Sequence, residues 1–371
     1  MKHIVFCMPQ MHIGGAEKVL TYLLSELKKQ DLKLTVISRK PITSEFFANY
    51  FKDNPDISVK IIPSSSWRRP NNKTVRLIWR LHKQLFGTYA RNRYHKIFRD
   101  ADIVFDYLNF STYRVKLTPK IPYIAVYHSS FPQFVIDNEI SKIGRYTKLI
   151  GLSESFANDF CEKYPGNANK IAWIYNPIHQ DNIIMAANGC AGGNGKYFVC
   201  CNRMHWHKDM EAVIRAFDKF YTEKNPDCKL YMVGDGPKRP EWQELSESLK
   251  SAKNIVWIGE VPNPFGYMRD AMALIMSSHN EGLPTVLCEA MALGTLCIAS
   301  NCKSGTGEIM CSGGGGLLFE PGNIDELAKC MSDVYNECVD SQEIKRVAMD
   351  GLKRFSPDKI ASEIKKLIER L

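Results

Sequence analysis

The feature that most constrains this chain is a repeated alternation of short apolar runs with stretches of helical periodicity. Runs at 3–9, 32–38, 59–62, 103–107, 123–128, 149–153 and 171–175 read as strands. Between the first two, Val19, Leu20, Leu23, Leu24 and Leu27 share one face of a helix predicted over 15–29. Apolar strands separated by helices predict a parallel sheet covered on both faces. The alternation breaks at Asn176-Pro177, and the Gly-, Ala- and Asn-rich stretch 186–195 has little to bury. It resumes with strands at 197–201, 229–233, 255–258, 273–277 and 296–299, the last closing the series. Helices at 209–221, 240–249, 264–271 and near 284–294 lie between them, and three more at 325–335, 343–355 and 357–371 finish the chain. A length of 371 residues suits two such domains. The fold class expected is α/β, with two Rossmann-like, doubly wound domains joined by a hinge. Sheets of this kind bind ligands at the carboxyl ends of their strands, so the site is expected in the cleft between domains.

Composition removes several classes. No apolar run approaches the roughly 20 residues that span a bilayer. The first apolar run is too short for a signal peptide and reads as a strand. The twelve cysteines form no C-x-x-C pair, so they read as small buried hydrophobes in a reducing compartment rather than as a zinc site. The net charge of +9 is unevenly placed: residues 60–99 hold eleven Lys/Arg, among them Arg68 and Arg69, and no Asp or Glu. That asymmetry asks for an anionic partner. Within it, 74–89 reads as an amphipathic helix. Val75, Ile78, Trp79, His82, Leu85/Phe86 and Tyr89 recur at helical spacing, while Arg76, Trp79, Arg80 and Lys83 form a candidate membrane or acceptor face. The alternative is a core-facing helix with a solvated basic back. Nothing resembles a nucleic-acid module, so no nucleic acid is expected.

The chemistry-bearing segments sit at strand ends. Glu281-Gly282-Leu283-Pro284-Thr285-Val286-Leu287-Cys288-Glu289 places one carboxylate in a polar loop after a strand and the second inside a helix starting near Pro284 and ending at Gly294. A helix start presents unpaired N–H groups and partial positive charge, which suits phosphate. The loop carboxylate is placed to meet an uncharged part of the same ligand, such as a sugar, and the helical one to accept from ribose hydroxyls. After the strand at 197–201, Arg203 and Lys208 offer charge-assisted hydrogen bonds to a diphosphate. Val233-Gly-Asp-Gly-Pro237 reads as a strand-to-helix turn. Gly259, Glu260 and Val261 end another strand. In the first half, Gly14-Gly15 opens a helix and permits close backbone approach, and His128 follows a strand. Asp100-Ala-Asp102 precedes its strand, which is wrong for a metal motif, so it reads as a helix-to-strand connection.

Together these segments resemble the retaining nucleotide-sugar glycosyltransferases of family 4, of the bacterial surface-polysaccharide and lipid-linked glycan type, which have the two-Rossmann GT-B architecture. The resemblance covers essentially the whole chain and is strongest over 197–318. Two departures stand out. Asn202 and Asp209 replace glycines flanking the Arg203…Lys208 segment, and Pro284 replaces a glycine, so contacts there fall to Leu283, Thr285 and Val286. The resemblance implies an acceptor-side domain 1–177, a linker 178–195 and a nucleotide-sugar domain 196–356, with helix 357–371 crossing back onto the first domain. It implies Arg203 and Lys208 on the leaving diphosphate, Glu281 and His128 on the donor sugar, Glu289 on the ribose, and Gly15, Gly259, Glu260, Val261, Gly282, Leu283, Thr285 and Val286 around the donor. A UDP-sugar is the favoured donor and a lipid-linked saccharide the acceptor. No cofactor and no essential metal are expected. The expected location is the inner face of a cell membrane, peripherally attached through an anionic surface. The alternative is a degenerate, non-catalytic partner that docks an active enzyme. A dehydrogenase lacks its G-x-G-x-x-G, and a phosphorylase lacks a pyridoxal-phosphate lysine context.

Overall fold

A computed structural model describes residues 1–11, 15–63, 72–108, 121–303 and 305–371. Gly14, Arg68 and Arg69 therefore lie outside the described residues. The first half runs β1 (Lys2–Met8), α1 (Gly15–Lys28), β2 (Leu32–Ser38), α2 (Glu45–Asp53), β3 (Ser58–Ile61), α3 (Lys73–Arg99), β4 (Ile103–Asp106), β5 (Tyr123–Tyr127), α4 (Phe131–Ile136), β6 (Lys148–Gly151), α5 (Glu154–Lys163) and β7 (Ile171–Trp173). Its strands form one parallel sheet ordered β3-β2-β1-β4-β5-β6-β7. Six of the seven residues of β1 are buried, as a strand covered on both faces requires.

After α6 (Gln180–Ala187) the second half runs β8 (Tyr197–Cys201), α7 (Met210–Lys224), β9 (Lys229–Val233), α8 (Arg239–Glu247), β10 (Ile255–Gly259), α9 (Phe265–Arg269), β11 (Ala273–Met276), α10 (Thr285–Ala292), β12 (Leu296–Ser300), α11 (Thr306–Ile309), β13 (Leu317–Phe319), α12 (Ile324–Tyr335), α13 (Ser341–Leu352) and α14 (Pro357–Arg370). Its parallel sheet is ordered β10-β9-β8-β11-β12-β13. In both sheets the strand order reverses beside the first strand, at β1/β4 and at β8/β11. These are the switch points where α/β sheets open a ligand crevice.

The chain crosses between the halves twice, and the two crossings are pinned together. Ile178 N donates to Phe355 O at 2.8 Å, and the Tyr175 and Phe355 rings lie 4.7 Å apart. The final helix α14 then lies on the first half. Its buried face is Ile360, Ala361, Ile364 and Ile368, and Lys2 Nζ donates to Ile368 O at 3.0 Å. Each fully buried isoleucine contributes about 1.5–3 kcal/mol, so α14 ties the two halves together as well as ending the second.

Four sequence expectations change. Residues 180–187 of the expected linker are helical, because Ile183 and Ala187 find buried positions. The strand series does not close at β12, since β13 adds an edge. The helix α3 continues to Arg99, carried by buried Tyr94 and Phe98. Its apolar row is also split. Val75, Trp79, His82 and Phe86 are half-buried, whereas Leu77, Ile78, Leu81, Leu85 and Tyr89 are exposed, at 50–72%. Trp79 is thus on the more protected side, with Lys83 Nζ 4.6 Å from its ring centroid. The Asp100-Ala-Asp102 segment is the connection expected: Asp102 Oδ2 accepts from His3 N at 2.7 Å.

Candidate active site

The second half's switch point gathers the loop after β8 and the loop after β11, and hydroxyls sew them together. Ser277 Oγ donates to Lys208 O at 2.7 Å and to Asp209 O at 2.9 Å. His279 N donates to His207 O at 2.9 Å. Asp209 caps α7 from a left-handed backbone (φ 47°), its Oδ1 accepting from Ala212 N at 3.3 Å. This scaffold brings Lys208 Nζ onto Glu281 Oε1 as an ion pair, both side chains less than one-fifth exposed. Ser278 Oγ donates to the same oxygen at 2.6 Å.

The Val233-Gly-Asp-Gly-Pro237 segment is more than the turn its sequence suggests. A Cβ on Gly234 would sit 1.9 Å from Asn202 O, and Gly234 has φ 121°. Glycine is required there because the backbone leading to Arg203 passes directly over it. Gly234 N also donates to Gly259 O at 2.7 Å. That engages the carbonyl of Gly259 within the strand ends.

One cavity of about 750 Å³ runs across the cleft between the halves, within the range of small-molecule sites. The expected residues Gly15, His128, Arg203, Lys208, Glu260, Val261, Glu281, Leu283, Thr285, Val286 and Glu289 line it. Two expected residues do not. Gly259 has its carbonyl engaged by Gly234 N, and Gly282 is spent on contact between the halves, where an added Cβ would lie 2.4 Å from His128 O. That close approach brings the Glu281 loop beside His128, two positions 153 residues apart in sequence. Among the described residues, Arg76, Arg80 and Lys83 of α3 do not line the cavity.

Two helix starts face each other over this space. A Cβ on Gly15, the first residue of α1, would lie 4.0 Å from Thr285 Oγ1 at the start of α10. The N–H groups of a helix's first turn have no intrahelical partner, so both halves aim positive dipole ends into the cavity. Pro284 occupies the cap position of α10 rather than its first turn, so the N–H it lacks is not one of those.

Burial sets the protonation states. Desolvation pushes the His128 imidazole down to about 4, opposed by a hydrogen bond with the Tyr107 backbone, so the ring is neutral at pH 7. It lies against Tyr107, ring centroids 4.8 Å apart. Desolvation raises Glu289, and the Lys18 ammonium draws it partly back. Lys18, on α1 and lining the cavity, was missed by sequence reasoning. Its only sequence signal is its place one turn after Gly15. Asn176 and Pro264 also line the cavity. Among the described residues no group of three or more His, Cys, Asp or Glu is placed to hold a metal ion.

Residues 13–182 match the Glycosyltransferase Family 4 domain, and residues 188–348 match Glycosyl transferases group 1. The chain joins a family 4-like domain to a glycosyltransferase group 1 domain. An uncharacterized glycosyltransferase of Methanocaldococcus jannaschii is 30% identical over 200 residues, 46% of this chain and 49% of that protein. The lipopolysaccharide 1,6-galactosyltransferase of Salmonella typhimurium is 27% identical over 164 residues, 43% of this chain and 45% of that protein. The chain thus spans about half the length of these curated relatives. The solved structure of Anabaena HepE in complex with UDP-glucose superposes with a TM-score of 0.78, covering 100% of both chains at 16% identity. The group 1 half carries the Lys208–Glu281 pair and the family 4 half carries His128, in a GT-B architecture.

Proposed function

We propose that this chain is a retaining glycosyltransferase that moves a hexose or N-acetylhexosamine from a nucleotide sugar, with UDP-sugars favoured, to a lipid-linked saccharide. The observation that carries the reading is the cavity flanked by two opposed helix starts, with Lys208 and Glu281 paired on one wall and His128 on the other. A diphosphate placed between the helix starts meets N–H groups from both halves. Arg203 and Lys208 then neutralise the charge that develops as the glycosidic bond to phosphate breaks. Glu281, oriented by Ser278, accepts from donor-sugar hydroxyls, and Glu289 accepts from the ribose. His128, neutral at pH 7, hydrogen-bonds the sugar from the opposite wall. The leaving phosphate takes the acceptor proton, so no side-chain base is needed. Two cationic side chains and two helix dipoles supply the neutralisation that a metal gives elsewhere, so we propose transfer without a metal. Closure of the halves excludes water that would otherwise hydrolyse the donor.

For the acceptor, the supporting feature is α3. Its exposed stripe of Leu77, Ile78, Leu81, Leu85 and Tyr89 is accompanied by exposed Arg80, Lys83, Arg91 and Arg93. An apolar stripe beside basic residues suits the surface of an anionic leaflet, each Lys or Arg adding about 1 kcal/mol. No helix among the described residues is long and apolar enough to cross a membrane. The proposed site of action is peripheral, at the inner face of the cell membrane, on the strength of the exposed α3 stripe. The lipopolysaccharide galactosyltransferase relative supports a surface-glycan acceptor.

The test is thermal unfolding with excess UDP, GDP or ADP, with Arg203→Ala as control. A ligand at 100 times its Kd adds about 2.7 kcal/mol of stability. A shift with UDP that is absent in the variant is expected. No shift with any nucleotide would favour a non-catalytic partner.

A further inference from the structure

Outside the cavity, the side chain of Glu308, half-buried on α11 of the second half, joins the two halves. Its carboxylate accepts three hydrogen bonds from the first half and the crossing segment. Glu154 N donates at 3.0 Å, Ser155 N at 2.8 Å and the Tyr175 hydroxyl at 2.7 Å. The two backbone donors are the first two residues of α5. The third donor of that turn, Phe156 N, is satisfied by Ser153 Oγ at 3.2 Å. The start of α5 is therefore completed by a carboxylate from the other half, where a helix dipole and charge-assisted hydrogen bonds both favour negative charge. Burial and the Glu308 carboxylate push the Tyr175 phenol up, which keeps its hydroxyl a donor.

The same helix reaches the cavity. Gly305, the cap of α11, is wedged against the donor loop: a Cβ there would lie 2.8 Å from Leu283 Cδ1 and 2.9 Å from Gly282 O. Gly282 in turn abuts His128 O. The contacts run without a break from α5 through Glu308 and α11 to the Glu281 loop, and across to His128. Tyr175 places the near end of this line at the pinned crossing, since its ring packs on Phe355.

We propose that Glu308 is a positioning residue, a latch between the halves that holds the Glu281 loop against His128. This rests on the transferase reading only for its kinetic consequence; the latch itself is a property of the fold.

The test uses Glu308→Gln, which keeps the shape and removes the charge, and Tyr175→Phe, which removes one bond of the three. Hydrogen–deuterium exchange is followed in the ligand-free full chain. Expected is faster exchange confined to the start of α5 and to residues 279–284 and 128–130, with the β8 and β12 strands as protected as in the wild type. The Tyr175→Phe change is expected to be the smaller. With a UDP-sugar, kcat/KM is expected to fall about tenfold or more while UDP affinity stays within about twofold, the split of a misplaced wall rather than a lost ligand contact. Unchanged exchange at 279–284 would overturn the proposal. So would a uniform rise across both sheets, which would mark Glu308 as a stability residue only. Should Glu308→Gln not fold, the Tyr175→Phe pattern decides between the same outcomes. The exchange readout needs no substrate, so it stands even if the wild type transfers no sugar, and that second failure would refute the transferase reading alone.

Discussion

Gly282 is the point at which the geometry makes its sharpest demand. An alanine there would place its methyl carbon 2.4 Å from His128 O and 2.9 Å from His128 C, where ordinary contact begins at 3.4 Å. Backbone strain is not the obstacle, because Gly282 is not among the positive-φ residues. The methyl group must therefore be accommodated by moving the Glu281 loop and His128 apart by about 1 Å. A 1 Å misplacement of groups flanking a reacting centre costs on the order of 100-fold in rate, equivalent to about 2.7 kcal/mol of transition-state stabilisation. Arg203 and Glu289, both in the second half, would stay in place. Gly282→Ala is thus expected to lower kcat about 100-fold and change the Kd for UDP less than about threefold. Steady-state transfer with a UDP-sugar, paired with calorimetric titration of UDP, measures both. A kcat equal to wild type would refute the reasoning, since the halves could not then meet at Gly282 in the working state. An equal loss of UDP affinity would mean that the methyl group disturbs the nucleotide pocket instead.

The same geometry has other consequences. The His128 imidazole titrates at about 4 in the fold against 6.5 when unfolded, so folding is penalised as pH falls from 6.5 toward 4 and is unaffected above that window. At pH 5 the penalty is about 2 kcal/mol, so His128→Gln should gain about that much relative to wild type between pH 7.5 and pH 5 in urea unfolding of the full chain, and parallel pH profiles would contradict it. Transfer should be insensitive to EDTA; loss restored by a divalent cation would overturn the metal-free proposal. Replacing Leu81 and Leu85 on α3 with serine should release the protein from vesicles containing anionic lipid in a sedimentation assay, while UDP affinity is unchanged. Undiminished sedimentation would remove α3 from the docking surface.

What the sequence revealed and what it hid divide along the distance over which each feature is encoded. The Glu281 loop and the helix carrying Glu289 were legible because strand, loop, proline and Gly294 lie within one continuous stretch. The parallel sheets were legible because buried strands leave uninterrupted apolar runs. The Lys208–Glu281 pair was not, since the two residues were assigned to different parts of one ligand and only the serine-stitched loops show them bonded. Gly282 read as part of a motif, but its function as a contact surface depends on a carbonyl in the other half. Glu308 gave no signal: α11 has four residues, too few for a periodic pattern. The helix α3 was cut short because the residues after Tyr89 are polar, although Tyr94 and Phe98 later in the helix reach the core. Its exposed face was misplaced for a different reason. Helical spacing identifies rows of residues, and only packing says which row faces the sheet.

The most direct test of the central claim is to follow transfer by proton NMR, using an α-linked UDP-hexose or UDP-N-acetylhexosamine and a lipid-linked saccharide acceptor. The account predicts release of UDP together with an α-linked product, abolished by Arg203→Ala. A β-linked product would contradict retention, and no UDP release from any nucleotide sugar would contradict the assignment of the cavity as a donor site.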